Sequence, residues 1–186
     1  MEAFSDGVIA ILITIMVLEL KVPSGDDLEA LLPVGGTFLS YCISFVYLGI
    51  YWNNHHHLLQ ATKHVDGRVL WANLNLLFWL SLVPFATGWV GKNQFSARPV
   101  ALYGVVLLLA AISYTILTWV LIDVQGKDSA LAKAVGRDHK GRLSLLIYAV
   151  AIPLSFVSSW TAFALYFLVA VLWFVPDSRI EKTLVR

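Results

Sequence analysis

Long apolar segments separated by short polar breaks constrain the fold of this chain more than any other feature. A helix needs about 20 mostly apolar residues to cross the hydrocarbon core of a bilayer, and several segments here approach or exceed that length. Of the 186 residues, 59% are hydrophobic and only 13% are charged, whereas soluble domains carry about 25% charged residues. The sequence therefore predicts an all-α, polytopic membrane protein with one domain over residues 1–186.

The polar breaks divide the chain into six predicted transmembrane helices. The last apolar run is too long for one span, and Pro153 together with Ser158 and Ser159 indicates a tight hairpin within it. The predicted spans are residues 5–22, 34–59, 69–90, 100–122, 143–157 and 160–175.

Lysine and arginine residues are unevenly distributed between the two sides that these spans define. Cytoplasmic loops of membrane proteins carry an excess of positive residues, and ten of the 13 lysines and arginines fall on one predicted side. The ten are Lys63, Arg68, Lys127, Lys133, Arg137, Lys140, Arg142, Arg179, Lys182 and Arg186, and the other three are Lys21, Lys92 and Arg98. The sequence therefore predicts a multi-pass protein of the cell membrane with both termini in the cytoplasm. Because the basic residues are scattered over short loops, no nucleic-acid partner is predicted.

The first predicted helix carries an apolar stripe along one face. Plotted at about 100° per residue, the stripe consists of Gly7, Ile11, Thr14, Ile15, Leu18 and Val22. If copies of this helix surround a symmetry axis, Ile11, Ile15 and Leu18 form stacked hydrophobic rings, and such rings gate ion paths by dewetting. Thr14 then adds a ring of hydroxyl groups between them. A lipid-facing or bundle-core stripe has the same periodicity, so periodicity alone leaves both interpretations open.

Polar residues from three helices are predicted to lie at one depth, near the start of the first helix. An acid at the threshold of a membrane helix is costly unless it is paired, and Asp6 points away from the apolar stripe toward neighbouring helices. We expect Asp6 to accept hydrogen bonds from histidine or asparagine donors, in a network that sets the tilt of the first helix. The predicted network is Ser5, Asp6, Asn53, His55, His56 and His57, with Arg68, Asn73 and Asn75 close to the same level.

The three consecutive histidines raise the question of a metal site, since imidazole binds zinc, copper and nickel. Consecutive residues of a helix point about 100° apart, so the rings of His55, His56 and His57 cannot converge on one ion. No metal site is predicted from this run, and a proton-sensing role stays open because imidazole titrates near neutral pH.

Three sequence motifs resemble a known family. They are FSDG at residues 4–7, VLEL at 17–20 and YWNNHH at 51–56. Together they resemble the transmembrane protein 175 family of potassium channels, in its single-repeat prokaryotic form, over essentially the whole chain. The family signature is Arg-x-x-x-Phe-Ser-Asp, and its arginine would fall one position before Met1.

This resemblance implies a homotetramer in which the first helix of each subunit lines a central pore. Carried onto matching positions, Ile11 is the main hydrophobic constriction, with Thr14, Ile15 and Leu18 lining the path outward. The implied activity is permeation of potassium in preference to sodium, with the ion passing near Ile11 and Thr14 and with the Thr14 hydroxyl as the expected source of the preference. The implied partners are further copies of the chain, the lipid bilayer and potassium ions, and no cofactor is implied.

Two other functions fit the residues less well. An ion-coupled secondary transporter would bind its coupling ion at Asp6, Glu19 or Asp123, but such sites commonly sit at interrupted helices related by internal repeats. Here only Pro84 interrupts the third span, and neither a repeat nor a pair of related breaks is found. An intramembrane enzyme would need convergent catalytic groups, which the histidine run does not supply. With the family resemblance included, we therefore predict a channel rather than an enzyme, with the transporter as the alternative.

Overall fold

The computed structural model describes residues 1–126, 128–135 and 138–174, and these residues form helices and connecting turns without a β-strand. The α-helices are α1 Glu2–Ile15, α2 Gly35–Gln60, α3 Gly67–Ser81, α4 Val83–Lys92, α5 Ala97–Gln125, α6 Ala130–Val135, α7 His139–Leu154 and α8 Ser159–Phe174. The prediction of an all-α fold is confirmed for this part of the chain. The predicted cytoplasmic residues Lys127, Arg137, Arg179, Lys182 and Arg186, and the last residue of the sixth span, Val175, lie outside the described residues.

Three helical stretches of the described chain are long and apolar enough to cross a membrane. They are Leu28–Gln60, Gly67–Lys92 and Ala97–Gln125. The helix α8 is apolar but shorter. Helices α2, α5, α7 and α8 begin and end within a few residues of four predicted spans.

The first helix ends earlier than predicted. Its α-helical part stops at Ile15, a 3₁₀ turn covers Met16–Glu19, and Leu20 is extended. Pro23 accounts only for the non-helical backbone just before it, because a proline disfavours helical backbone at the preceding residue, here Val22. The expectation that Val22 continues the helical stripe is therefore wrong.

The third predicted span is interrupted, as Pro84 indicates. The helix α3 ends at Ser81 and α4 begins at Val83, with Pro84 in its first turn. Proline has no backbone N–H, so it cannot donate the helical hydrogen bond to the carbonyl of Leu80. The two halves form consecutive helices with a break between them.

Small residues let the helices approach closely, as is common in membrane bundles. Gly91 of α4 lies against α2, where an added Cβ would be 2.5 Å from Thr37 Cα and 2.7 Å from Ser40 Oγ. Gly104 of α5 likewise lies against the Tyr166 hydroxyl of α8. These contacts fix α2, α4, α5 and α8 in one bundle.

Several buried hydroxyl groups inside this bundle pair with one another, whereas the Tyr166 hydroxyl has no partner among the described residues. Thr87 Oγ1 lies 2.6 Å from Ser44 Oγ, which lies 2.9 Å from the Tyr103 hydroxyl. The Tyr148 hydroxyl donates to the Tyr47 hydroxyl at 3.2 Å, and Tyr47 donates in turn to a backbone carbonyl of α8. Paired polar groups are what a water-poor interior requires.

The two ends of α1 lie at opposite ends of the bundle. At one end, α1 begins next to the end of α2 and the start of α3, and we call this the Asp6 end. At the other, the 3₁₀ turn after α1 lies next to the end of α4, and we call this the Glu19 end. The face of α1 between these ends is the candidate site.

Candidate pore helix and its anchors

Helix α1 has one packed face and one open face. Ser5, Ile9, Leu12 and Met16 are buried, at spacings of three and four residues that place them on one side. The open side carries Gly7, Ile11, Thr14, Ile15 and Leu18. Ile11 is 60% exposed and Leu18 is 79% exposed. The apolar stripe predicted from periodicity is thus a face that the chain itself leaves uncovered.

Thr14 is the only polar side chain on this open face between Gly7 and Leu18. Its Oγ1 donates a hydrogen bond to the carbonyl oxygen of Ile11 at 2.9 Å. A hydroxyl group has one proton and two acceptor lone pairs. Because the proton is used within the helix, Thr14 offers acceptor capacity to whatever lies along this face.

Three buried side chains tie the Asp6 end of α1 to the neighbouring helices. His55 of α2 contacts Asn73 of α3, with 2.7 Å between Nε2 and Oδ1, and Asn73 Nδ2 donates to Ser5 Oγ at 2.9 Å. Ser5 Oγ donates to the carbonyl oxygen of Met1 at 3.2 Å. Since an amide oxygen only accepts, His55 donates through Nε2, and the bonds run in one direction from α2 through α3 to α1.

A second set of contacts joins the same end of α1 to α2 through His56. Its Nδ1 lies 3.1 Å from Asp6 Oδ2 and 3.2 Å from Glu2 Oε1. Its Nε2 lies 2.9 Å from Gln60 Nε2, one turn further along α2. The ring of His56 is therefore held between two carboxylates on one side and an amide on the other.

Two residues predicted for this network lie outside it. The half-buried Asn53 contributes no side-chain hydrogen bond to these contacts, and His57 Nδ1 is buried without a partner among the described residues. The three histidines diverge, because only His55 faces Asn73 and only His56 faces the acids of α1.

The two other polar residues expected at this level pair elsewhere. Arg68 donates to Asp66 at 3.0 Å and to Asp123 at 2.9 Å, and Asn75 donates to Ser113 of α5 at 2.7 Å. The backbone N–H of Val69, followed by the Arg68 guanidinium, lowers the pKa of Asp66, which caps the start of α3. These residues bind α3 to α5 and not to α1.

One ion pair holds the Glu19 end of α1. Lys92 Nζ donates to Glu19 Oε2 at 2.7 Å, and both side chains are partly exposed. Gly88, one turn before Lys92, makes room for the carboxylate, since an added Cβ would lie 3.1 Å from Glu19 Oε2. The flat surface at Gly88 lets Glu19 cross α4 to reach Lys92.

Comparison with known proteins identifies the chain. A curated potassium channel of Chryseobacterium sp. is 53% identical over 184 residues, which cover 99% of this chain and 96% of that protein. The chain belongs to the TMEM175 family. The profile of the family described as "Endosomal/lysosomal potassium channel TMEM175" matches residues 1–84, which include α1, α2, α3 and the first residues of α4.

Two further TMEM175-family comparisons agree with this identification. A potassium channel of Streptomyces collinus is 31% identical and covers 91% of this chain and 87% of its own length. The crystal structure of a lysosomal potassium-selective channel TMEM175 homolog from Chamaesiphon minutus has a TM-score of 0.81 and 29% identity, and the match covers 95% of each chain. The resemblance inferred from the three motifs is confirmed, as is the prediction that this family comprises channels rather than enzymes.

Sequence reasoning missed several partners in this TMEM175-family chain. It placed Asn73 at the right depth without assigning it to the network, and it assigned no role to Glu2, Gln60 or Lys92. One signal was available for Glu2, because residues four apart lie on the same helical face and Asp6 was already singled out. For Lys92 and Asn73, nothing local to the sequence indicates the partner.

Proposed function

We propose that this chain forms a potassium-permeable, potassium-over-sodium channel as a homotetramer, with the open face of α1 from each subunit lining a central pore. The observation that carries the proposal is the uncovered apolar stripe on a helix whose other face and both ends are anchored. A single bundle with one such stripe cannot enclose an axis alone, so further copies are needed to complete the path.

The positions of the helix ends favour six crossings with both termini in the cytoplasm of a cell-membrane protein. The Asp6 end gathers the start of α1, the end of α2 and the start of α3, whereas the Glu19 end gathers the end of α4 and the start of α2. Near the Asp6 end, Arg68 also pairs with Asp123, close to the end of α5. The predicted excess of positive residues lies on this side, which favours a cytoplasmic location.

Within this pore, Ile11 is the proposed main constriction. Its side chain is apolar and 60% exposed in the single chain, and rings of such residues exclude water until the pore widens. Ile15 and Leu18 continue the apolar lining toward the Glu19 end. The proposed gating network at the opposite end comprises Ser5, Asp6, His55 and His56, with Asn73 joining His55 to Ser5.

Thr14 is the proposed source of the potassium preference. Its hydroxyl proton is bonded to the Ile11 carbonyl, so its oxygen lone pairs are available to replace part of the hydration shell of a passing cation. Replacing Thr14 by valine keeps the shape and removes the oxygen. We expect Thr14→Val to conduct with a reversal potential closer to that of a non-selective pore, and Thr14→Ser to keep the potassium preference. An unchanged reversal potential in Thr14→Val would remove Thr14 from this role.

The first experiment measures potassium and sodium flux into proteoliposomes containing the purified protein. The Ile11→Asn variant should conduct more than the original chain, because a polar ring wets the constriction. The matched control is Ile116→Asn, which places the same change at a 40% exposed position on α5, away from α1. The proposed pore lining is contradicted if both variants change the flux equally or if neither does.

The same experiment separates a channel from the transporter alternative. A channel passes potassium rapidly without a coupling ion. Slow, saturable flux that requires a proton or sodium gradient and is indifferent to Ile11→Asn would favour the transporter.

A further inference from the structure

The contacts of His56 bring three metal-binding groups together at the Asp6 end of α1. Glu2 and Asp6 lie one turn apart on α1, and His56 reaches them from α2. One oxygen of each carboxylate and one ring nitrogen of His56 all lie within 4.8 Å of one another. These side chains come from two helices, so their convergence is a product of the tertiary packing.

Two of the three distances between these atoms match the spacing of ligand atoms around a zinc ion. Zinc binds imidazole nitrogen and carboxylate oxygen at about 2.0–2.2 Å in tetrahedral geometry, which puts neighbouring ligand atoms about 3.3 Å apart. His56 Nδ1 is 3.2 Å from Glu2 Oε1 and 3.1 Å from Asp6 Oδ2. A bound zinc ion would need shifts of only a few tenths of an ångström along these two edges.

The carboxylates of Glu2 and Asp6 offer more hydrogen-bond acceptors than the His56 ring can supply with protons. The Nδ1 atom of His56 carries at most one proton, yet it faces a carboxylate oxygen from each of two residues. The other oxygen of Asp6, Oδ1, is buried and has no partner among the described residues. A divalent cation would compensate both carboxylates at once, which a single imidazole proton does not.

Turning over the Gln60 amide, whose Nε2 faces His56 Nε2 at 2.9 Å, gives His56 the outer contact that metal-bound histidines usually have. A ligating histidine donates its other ring N–H to a nearby oxygen, which fixes the ring orientation. The Gln60 amide lies 2.9 Å from His56 Nε2, and the two ends of an amide are distinguished only by the hydrogen bonds they make. With its oxygen toward the ring, Gln60 would accept the Nε2 proton while Nδ1 binds the metal.

We propose that Glu2, Asp6 and His56 form a zinc-binding site that ties the start of α1 to the end of α2. The remaining coordination position is open to water, as in other sites with three protein ligands. Only one residue of the histidine run takes part, so the divergence of the three rings is no obstacle. Magnesium fits poorly, because it requires near-octahedral oxygen ligands.

The test is isothermal titration of the purified, chelator-treated full chain with zinc chloride. We expect one zinc ion per chain, and no binding of magnesium in the same titration. Glu2→Gln and His56→Gln should each weaken zinc binding by at least about tenfold, and Gln60→Leu by about 10–100-fold, the usual cost of an outer-shell partner. Glu2→Gln leaves the Asp6–His56 contact in place, so it tests the site without removing the link between α1 and α2.

His64→Gln is the matched control, because it removes an exposed histidine in the loop after α2. It should bind zinc as the original chain does. The proposal is overturned if the original chain binds no zinc, if Glu2→Gln and His56→Gln bind it unchanged, or if His64→Gln weakens binding equally. Zinc binding is measured without ion flux, so failure here leaves the proposed pore untouched.

Discussion

The two ends of α1 are held in different ways. At the Asp6 end, Ser5, His55 and Asn73 are almost completely buried and are bonded across three helices. At the Glu19 end, one ion pair holds α1 against α4, and the side chains of Glu19 and Lys92 are 40% and 54% exposed. Buried bonded groups are costly to disrupt, whereas exposed ion pairs contribute about 0–1 kcal/mol. The comparison indicates that the Asp6 end fixes the position of α1 and that the Glu19 end is the easier one to release.

The largest loss of stability is expected from Asn73→Leu, which removes the side chain that joins His55 to Ser5. Both His55 Nε2 and Ser5 Oγ lose their bond to the Asn73 side chain, and each unsatisfied buried group costs about 1–3 kcal/mol. We expect a clear fall in the melting temperature of the detergent-solubilised protein. The comparison variant is Asn75→Leu, which removes the single bond from this exposed residue of the same helix to Ser113 of α5 and leaves the bonds at the Asp6 end intact. If both variants lower the melting temperature equally, the conclusion that the buried bonds at the Asp6 end hold α1 most strongly is contradicted.

A smaller loss of stability is expected from Ser5→Ala. This change removes one acceptor from Asn73 Nδ2 and leaves the bond between His55 and Asn73 intact. The expected cost is about 1–2 kcal/mol, measured by the same thermal unfolding. A double variant with Asn73→Leu should lose little more than Asn73→Leu alone, because the two changes break the same bond. Fully additive losses would argue that Ser5 and Asn73 act independently.

At the Glu19 end, Lys92→Gln should lower stability by no more than about 1 kcal/mol, and less at high salt. Gly88→Ala adds a Cβ 3.1 Å from the Glu19 carboxylate, so it should disturb the same ion pair without removing a charge. If Lys92→Gln destabilises the protein as much as Asn73→Leu does, the contrast between the two ends is wrong.

The smallest effect on stability is expected at Asp66, a partly exposed acid that caps α3 near the Asp6 end. Its pKa is lowered by the Val69 N–H and by Arg68. A lowered folded-state pKa stabilises the protein above the ordinary carboxyl value of about 3.9, and that contribution is lost as the pH falls through the folded-state value. Asp66→Asn should therefore flatten the fall in melting temperature below about pH 4. An unaltered pH profile would mean that the cap contributes nothing measurable.

Much of the helical framework and of the open face is readable from the sequence. The apolar lengths and polar breaks anticipate α2, α5, α7 and α8, and Pro84 anticipates the interruption between α3 and α4. The stripe through Ile11, Thr14 and Leu18 follows from helical periodicity, but only the structure shows that this stripe is open while Ile9 and Leu12 are buried. The early end of α1 at Ile15 was not anticipated, because the apolar run continues to Val22 and its only local stop signal, Pro23, comes eight residues later.

What the sequence by itself determined is therefore local: which segments form helices, which face of α1 is apolar, and which polar residues lie at one depth. Only the tertiary structure decided which side chains contact each other. Asn73 meets Ser5, His56 meets Glu2, and Lys92 meets Glu19 across 73 positions of sequence. Periodicity fixes the direction of a side chain around its own helix axis. Its partner depends on how neighbouring helices are rotated and how closely they approach, which contacts such as Gly91 against Thr37 set through packing.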